Sequence, residues 1–115
     1  MSDPARIPFF LGHVVESIDR IQGYVAGLDE SKFLDNHLVQ DAVVRNLEVI
    51  GEACNNVRKH DLSFVEAHPE IPWGSVIGNR NYLSHGYFNV SYISVWNTVQ
   101  LHLPTLRRAV AALLT

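Results

Sequence analysis

The sequence predicts an all-α fold: an up-and-down bundle of four main helices with short helical turns between them. Apolar residues recur every three or four positions along most of the chain, and no stretch shows the sustained alternation expected of a half-buried strand. A chain of 115 residues is also short for two separate cores. We therefore expect one domain over residues 1–115, in which four apolar stripes meet at a single core.

The first half of the chain is expected to hold two main helices. Helix one follows Asp3 and Pro4 and should end near Gly27, because glycine is favoured just beyond a helix end. A short turn at 31–34 leads into a long second helix. One face of helix one carries Phe10, Leu11, Val14, Val15, Ile18, Ile21 and Val25. One arc of the second helix carries Val39, Ala42, Val43, Leu47, Val49, Ile50, Ala53, Cys54 and Val57, and the opposite side carries Arg45, Glu48, Glu52 and Asn55.

The second half is expected to hold two more main helices. Residues 60–72 contain two prolines, which indicates a connection, with a helical turn at 63–67. The third helix should begin at Pro72, a residue tolerated at a first helical position, and stop near Gly86. The last should begin around Ser91. Pro104 is expected to kink or divide it, because proline lacks an amide donor and crowds the carbonyl of Gln100.

Composition narrows the functional classes. The hydrophobic fraction of 47% with 18% charged residues argues against disorder, and no apolar run approaches the roughly 18 residues of a membrane span. Cys54 has no cysteine partner in the chain, so we expect a buried structural thiol and a soluble, cytoplasmic protein. The net charge of −3 provides no global basic field, so any contact with RNA must be local and transient.

Arg80 interrupts the apolar side of the third helix. That side carries Trp73, Val76, Ile77, Leu83, Ser84 and Tyr87, and Arg80 projects from the middle of the same arc. Guanidinium groups are almost never fully buried unless they are paired, because removing the charge from water is costly. Two interpretations stay open: Arg80 pairs with a carboxylate inside the bundle, or the stripe lines a cleft that is open to an anionic ligand.

His85 is a second candidate, five residues after Arg80. On a regular helix that spacing separates the two side chains by about 140°. Gly86 is typical of the position just past a helix, so His85 is expected in the last turn, from which its ring can turn towards Arg80. Carbonyl groups at a helix end favour a cation, which suits a general acid. A histidine at this position can equally be a cap without a catalytic role.

Asn46 is a polar interruption of the second helix, at the centre of its apolar arc. A buried amide requires hydrogen-bond partners. Either Asn46 makes a hydrogen bond that fixes helix register, or it lines the cleft that holds Arg80, where Ser84 is expected as well. The remaining histidines show no metal-ligand spacing and are expected at the surface, so no metal site is predicted: His13, His37, His60, His68 and His102.

Several blocks of the sequence resemble a known family. Residues 80–87, RNYLSHGY, have the form R-x4-H-x-Y and resemble the signature of the HEPN superfamily, particularly its HepT-like branch. Residues 41–53 are similar to the second-helix block of that family, and residues 68–73 to the approach to its catalytic helix. Leu103 and Pro104 match a leucine-proline pair in its last helix. These blocks occur in the family's order over most of the chain from Ser31 onward.

The resemblance implies a metal-independent endoribonuclease without a cofactor, acting on transfer or messenger RNA. In the implied chemistry the ribose 2′-OH attacks the adjacent phosphate and leaves a 2′,3′-cyclic phosphate and a 5′-OH. Arg80 would stabilise charge on the phosphoryl oxygens, His85 would act as general base or acid, and Asn81 would orient the phosphate or the histidine. One histidine cannot readily serve on both sides of the phosphorus at once. The family is homodimeric, with two motifs that face a shared cleft, and a homodimer is implied here.

The resemblance also implies regulation through Tyr87. In the HepT-like branch, a minimal nucleotidyltransferase acts as antitoxin and adds adenylate to this tyrosine, which would block RNA by occupancy and by like-charge repulsion. Without the family, Tyr87 is simply an aromatic residue that closes the bundle after a turn. Two other functions stay open: a non-catalytic binding module that partners a nucleotidyltransferase, and a purely structural helical dimer in which Arg80 is paired inside the core.

Overall fold

The structure, a computed structural model, describes residues 3–85 and 90–115, and at His85 it describes the backbone only. The helices are α1 (Ile7–Val25), α2 (Glu30–Leu34), α3 (His37–His60), α4 (Leu62–Ala67), α5 (Trp73–His85), α6 (Tyr92–Asn97) and α7 (Leu103–Ala112). A 3₁₀ turn at Pro4–Arg6 precedes α1, and a π-helical turn at Thr98–His102 joins α6 to α7. The described residues contain no strand. The predicted all-α class is confirmed.

Four long segments build the bundle, as predicted. They are α1, α3, α5 and the continuous stretch from α6 through the π turn to α7. The central helix is α3, which packs against both α1 and α5, while α1 also packs against α7. The short helices α2 and α4 lie in the connections that the sequence predicted as turns. None of the helices in the described part of the chain is long and apolar enough to span a membrane.

Local signals account for the helix ends. Gly27 has a φ of 80°, a left-handed conformation that favours glycine and that stops the chain just after α1. The Asn36 side chain caps α3 by accepting the Val39 N–H at 3.0 Å. Ser91 caps α6 in the same way, accepting the Ser94 N–H at 3.3 Å. The described part of α5 ends at His85, and Gly86, the predicted stop, lies outside the described residues.

Pro104 divides the last helix, which confirms the prediction. It occupies the first turn of α7, directly after the π turn, where the N–H of Leu103 bonds to the carbonyl of Thr98. A bond across five residues makes this turn wider than a regular α-helical turn. The change in hydrogen-bond pattern comes where proline, which has no amide donor, would otherwise sit inside a continuous α-helix.

The core is apolar and confirms most of the predicted stripes. Every stripe residue of α1 is buried except Val15, which is half-buried, and Cys54 is fully buried in α3. Burial raises the pKa of the Cys54 thiol to about 12. One assignment was wrong: Asn55, predicted on the polar side of α3, is buried, and its Oδ1 accepts a hydrogen bond from Arg58 at 2.6 Å. The amide remains satisfied because its partner comes from the same helix.

Two of the histidines expected at the surface are in fact half-buried. His60 accepts the Asp3 N–H at 3.0 Å through Nδ1, and its ring lies 5.3 Å from that of Phe10. The His68 ring lies 4.5 Å from the Phe64 ring and contacts the Glu70 carboxylate at 3.1 Å. Both rings therefore pack against aromatic side chains, where their apolar faces are covered and a polar edge keeps a partner.

Candidate active site

Two polar contacts connect α3 and α5 across their interface. Arg80 donates to Glu52 through Nη1 at 2.6 Å, and the hydroxyl of Ser84 donates to Glu48 at 3.1 Å. Glu48 and Glu52 are four residues apart in α3, and so both lie on one face of that helix. Arg80 and Ser84 have the same spacing in α5. The later residue of α3 meets the earlier residue of α5, which shows that the two helices run antiparallel here.

Gly51 lets α3 and α5 approach each other closely beside these contacts. A Cβ at Gly51 would lie less than 3.0 Å from the Cβ of Arg80, and 3.1 Å from the carbonyl oxygen of Val76. Neither atom is the free end of a flexible side chain, so neither can move aside without moving the α5 backbone. Glycine at this position therefore determines how near the base of the Arg80 side chain lies to α3.

Arg80 is held by two acceptors and remains in contact with solvent. Its Nη2 donates to the Oδ1 of Asn81 at 2.7 Å, in addition to the Glu52 contact. The Arg80 side chain is 27% exposed and that of Glu52 is 52% exposed. Both open interpretations of Arg80 thus describe part of the structure, because it pairs with a carboxylate and also lines a cleft. Because Arg80 lies at the partly exposed edge of the interface between α3 and α5, it does not fit the hypothesis of a purely structural dimer, in which Arg80 is paired inside the core.

The guanidinium of Arg80 keeps donors for a further ligand. Each terminal nitrogen carries two N–H groups, and one on each is used by Glu52 and Asn81. The Nε atom is buried and has no hydrogen-bond partner among the described residues. Two acceptors thus orient the planar group, and no other described residue accepts from its terminal N–H groups, an arrangement that suits a phosphate.

A cleft of about 380 Å³ surrounds this group. Because α3 packs against both α1 and α5, α3 forms its floor and the other two helices its walls. The lining residues are Phe9, Phe10, His13, Arg45, Glu48, Val49, Glu52, Ala53, Asn56, Arg80 and Ser84. Its formal charges cancel, since two arginines face two glutamates when His13 is neutral. The cleft therefore has no net attraction for an anion, and any binding depends on the placement of individual groups.

The predicted site residues are distributed unequally around this cleft. Arg80 and Ser84 line it, and Asn81 contacts Arg80 directly. Asn46 is buried, donates to the carbonyl of Ala42 in its own helix at 2.9 Å, and is not among the lining residues. That bond lies within one helix, so it does not fix register between helices.

Two predicted functional groups lie outside the described residues. His85 is the last described residue of α5, with only its backbone described, and Tyr87 lies outside the described residues. Their roles stay predictions. Among the residues that the structure does describe, no group of three or more histidine, cysteine or acidic side chains is arranged to hold a metal ion.

Sequence reasoning missed the carboxylates and the aromatic wall of the cleft. Glu48 and Glu52 were placed opposite the apolar arc of the second helix and left without a role, as were Phe9 and His13. A signal for the glutamates did exist, because their spacing of four matches the spacing of Arg80 and Ser84. The sequence held no comparable signal for Phe9, whose neighbour Phe10 belongs to the apolar stripe.

Fold and cleft together define a small all-helical protein with an arginine-bearing polar cleft between antiparallel helices. Residues 14–113 match the model of the HepT-like family, described as Ribonuclease HepT-like. This chain belongs to the HepT-like ribonuclease family. The resemblance predicted from residues 80–87 is therefore confirmed, and so is the endoribonuclease class that it implied.

Curated relatives agree with this assignment. A Methanocaldococcus jannaschii protein named "Putative RNase" is 34% identical over 101 residues, covering 88% of this chain and 90% of the relative. A Thermococcus cleftensis protein named "Probable ribonuclease HepT" is 36% identical over 98 residues, covering 85% and 86%. A "Putative RNase" of Caldanaerobacter subterraneus is 33% identical over 105 residues, covering 91% of each chain. No solved structure matches the chain significantly.

Proposed function

We propose that this chain is a metal-independent endoribonuclease and the toxin of a toxin–antitoxin pair, with the cleft between α1, α3 and α5 as its active site. The observation that carries the proposal is the placement of Arg80. Its guanidinium lies at the cleft, held by Glu52 and Asn81, with further N–H groups available. A preorganised guanidinium stabilises the charge that accumulates on phosphoryl oxygens as the 2′-OH attacks.

Asn81 and Glu52 are positioning residues in this mechanism. Each accepts one hydrogen bond from Arg80, so together they restrict the plane of its guanidinium. Since Arg80 is the group that meets the phosphate, restricting it before the substrate arrives lowers the reorganisation needed during the reaction. A phosphate must in turn share Arg80 with the Glu52 carboxylate, which limits how tightly the ground state is held.

His85 supplies the proton transfer in this proposal. The sequence predicts His85 in the last turn of its helix, just before Gly86, where backbone carbonyls would favour the cationic ring that a general acid requires. One imidazole cannot both remove the 2′-OH proton and protonate the leaving 5′-oxygen on the opposite side in one step. We therefore expect a homodimer in which two copies of the motif face one cleft.

Tyr87 is the proposed point of control. It follows His85 by two residues, so an adenylate added to its hydroxyl would place a phosphodiester and a bulky nucleoside near the motif. The added negative charge would compete with the RNA phosphate for Arg80. The proposed antitoxin is a minimal nucleotidyltransferase, and a reading frame for one beside this gene would support the pairing.

The direct test is induced expression with matched variants. Wild type, Arg80→Ala and His85→Ala would be compared for growth arrest and for cleavage of RNA by the purified proteins in EDTA. Arg108→Ala and His102→Ala are the controls, because both residues are exposed on the last helical stretch and neither lines the cleft. Circular dichroism would establish that all five proteins are folded.

The proposal predicts arrest by wild type and both controls, loss of arrest in the two motif variants, and products with 2′,3′-cyclic phosphate and 5′-OH ends. Tyr87→Phe should keep the activity and escape inactivation by the nucleotidyltransferase with ATP. Cleavage that persists in Arg80→Ala would refute the assigned chemistry.

The second candidate is a non-catalytic module that binds a nucleotidyltransferase. The presence of Glu48 and Glu52 in the cleft favours it, because carboxylates repel RNA phosphate. A folded, unmodified wild type that forms a stable complex with the nucleotidyltransferase but cleaves no RNA would decide for this candidate.

A further inference from the structure

The α1 wall of the cleft carries an aromatic side chain that the bundle does not need for its core. Phe9 is 53% exposed, whereas its neighbour Phe10 is buried with the core residues. Phe9 nevertheless lines the same cleft as Arg80. A single exposed apolar side chain is ordinary on a protein surface, so its exposure alone indicates nothing. Its surroundings are what set it apart.

Cationic and aromatic groups surround the Phe9 ring. The guanidinium carbon of Arg6 lies 4.9 Å from the ring centroid, and the His13 ring lies 4.6 Å away at an interplanar angle of 74°. His13 is itself exposed and lines the cleft. Phe10 packs edge-on against Phe9 at 5.4 Å and supports it from the core side. The ring is thus braced by three neighbours, although about half of its surface stays open.

The charges of the cleft determine which ligand this ring suits. Arg45 and Arg80 are offset by Glu48 and Glu52, and the whole chain carries a net charge of −3. Phosphate contacts, which supply most of the affinity of basic nucleic-acid-binding proteins, are therefore confined here to individual groups such as Arg80. Aromatic side chains offer another source of affinity, since unpaired bases of single-stranded RNA stack on them with little dependence on sequence.

We propose that Phe9, together with His13, forms a nucleobase-stacking subsite that holds an unpaired base of single-stranded RNA while the neighbouring phosphate is bound at Arg80. The inference rests on the proposed ribonuclease function and extends it to the substrate class, RNA whose bases are free to leave a stack. The cleft volume of about 380 Å³ lies within the range of sites that bind small ligands. The guanidinium of Arg6 lies over the same ring and adds a positive charge beside the subsite.

The test is binding of an RNA analogue that the enzyme cannot cleave. A fluorescein-labelled, unstructured single strand with 2′-O-methyl groups at every position has no 2′-OH to attack the phosphate. A second strand of the same length and backbone has abasic sites instead of bases. The dissociation constants of both strands would be measured by fluorescence anisotropy with the full chain.

Five variants give the comparison. Phe9→Ala removes the ring, Phe9→Leu keeps an apolar side chain against Phe10, and Phe9→Trp keeps an aromatic face. Tyr24→Ala is the matched control, because Tyr24 is also an exposed aromatic residue of α1 but does not line the cleft. It lies about 22 Å further along the helix axis. Arg80→Ala serves as the reference for the phosphate site.

The subsite predicts that Phe9→Ala and Phe9→Leu weaken binding of the base-containing strand by about 5-fold to 100-fold, the range for loss of one stacked base. Binding of the abasic strand should be the same in all Phe9 variants, and Phe9→Trp and Tyr24→Ala should bind as wild type does. Because stacking is not ionic, the ratio between wild type and Phe9→Ala should stay constant as salt is raised.

Several results would overturn the inference. Equal affinities of Phe9→Ala and Tyr24→Ala would remove the subsite, and so would an equal loss on the abasic strand. A change in molecular mass of Phe9→Ala in light scattering would show that a second copy covers this ring. No binding by wild type would reject both the subsite and the proposed function. Weaker RNA binding in Arg80→Ala but in none of the Phe9 variants would reject only the subsite. RNA binding that depends on Phe9, without cleavage of unmodified RNA, would reject only the nuclease function.

Discussion

Replacing Gly51 by alanine should destabilise the protein, although the same change stabilises most helices. Alanine is favoured over glycine inside a helix by about 1 kcal/mol. At Gly51, however, the added Cβ would lie less than 3.0 Å from the Cβ of Arg80, whereas carbon atoms in contact are about 3.5 to 4.0 Å apart. α3 and α5 would have to separate locally by a distance on the order of 1 Å.

The size of the effect follows from two opposing terms. Forcing an extra carbon into a packed interface costs about 1 to 3 kcal/mol, against a gain of about 1 kcal/mol in helix propensity. We expect the free energy of unfolding to fall by up to roughly 2 kcal/mol in Gly51→Ala, and the melting temperature by roughly 4 °C for each kcal/mol. The shift also moves Arg80 relative to Glu52, so RNA cleavage should fall by up to about 100-fold.

Matched glycines supply the control. Apart from the adjoining turns of the same helix, a Cβ at Gly23 in α1 or at Gly78 in α5 meets no atom of the described residues within 4 Å. Gly23→Ala and Gly78→Ala should therefore raise the free energy of unfolding by about 0.4 to 1 kcal/mol. Urea unfolding followed by circular dichroism measures all three variants under one set of conditions. If Gly51→Ala is as stable as the two controls, the close approach of α3 and α5 at Arg80 is refuted.

Three further outcomes are expected. The Cys54 thiol is buried, and burial raises its pKa to about 12. At pH 8 it should therefore react with a disulfide reagent only after the protein is unfolded. Fast reaction of the native protein would contradict this burial. The hydrogen bond from Arg107 lowers the pKa of Asp19 from its ordinary value of 3.8. Above pH 3.8 this carboxylate therefore stabilises the folded state, and the stabilisation is lost as pH falls through the lowered pKa. Asp19→Asn should accordingly lower the melting temperature at pH 7, and the difference from wild type should shrink as pH falls through the lowered pKa. A difference that does not depend on pH would argue against the pair. Asn36→Ala should lower the free energy of unfolding by about 1 kcal/mol through loss of the α3 cap, whereas Asn36→Asp should retain it, as denaturant titration would show.

The fold was predictable from the sequence because its signals are local. Gly27 ends α1, Ser91 begins α6 and Pro104 divides the last helix, and each acts through its own backbone chemistry. Helical periodicity also identified the apolar stripe of α1. The exception, Asn55, shows the limit of this reasoning, because a polar residue next to the stripe can be buried when a partner such as Arg58 lies one turn away.

The candidate site was predictable from the sequence only where its residues lie close together along the chain. Arg80, Asn81 and Ser84 belong to one short run, and the structure places them at or beside the cleft. The contact from Glu52 comes from another helix, and its partner depends on the register between α3 and α5. That register reflects the close packing at Gly51, a contact between helices that periodicity along a single helix does not report.

The π turn in the last helical segment affects how the apolar faces of α6 and α7 align. The buried residues Val95, Val99, Leu103, Leu106 and Val110 follow spacings of four, four, three and four, which on a regular helix would drift by about 60°. The wide turn takes up one extra residue. The apolar faces of α6 and α7 are therefore aligned as they would be in a regular helix that is one residue shorter. Deleting Leu101, which is 66% exposed, should therefore remove the wide turn and leave the apolar faces of both ends in place, although Pro104 would still interrupt the backbone hydrogen bonds.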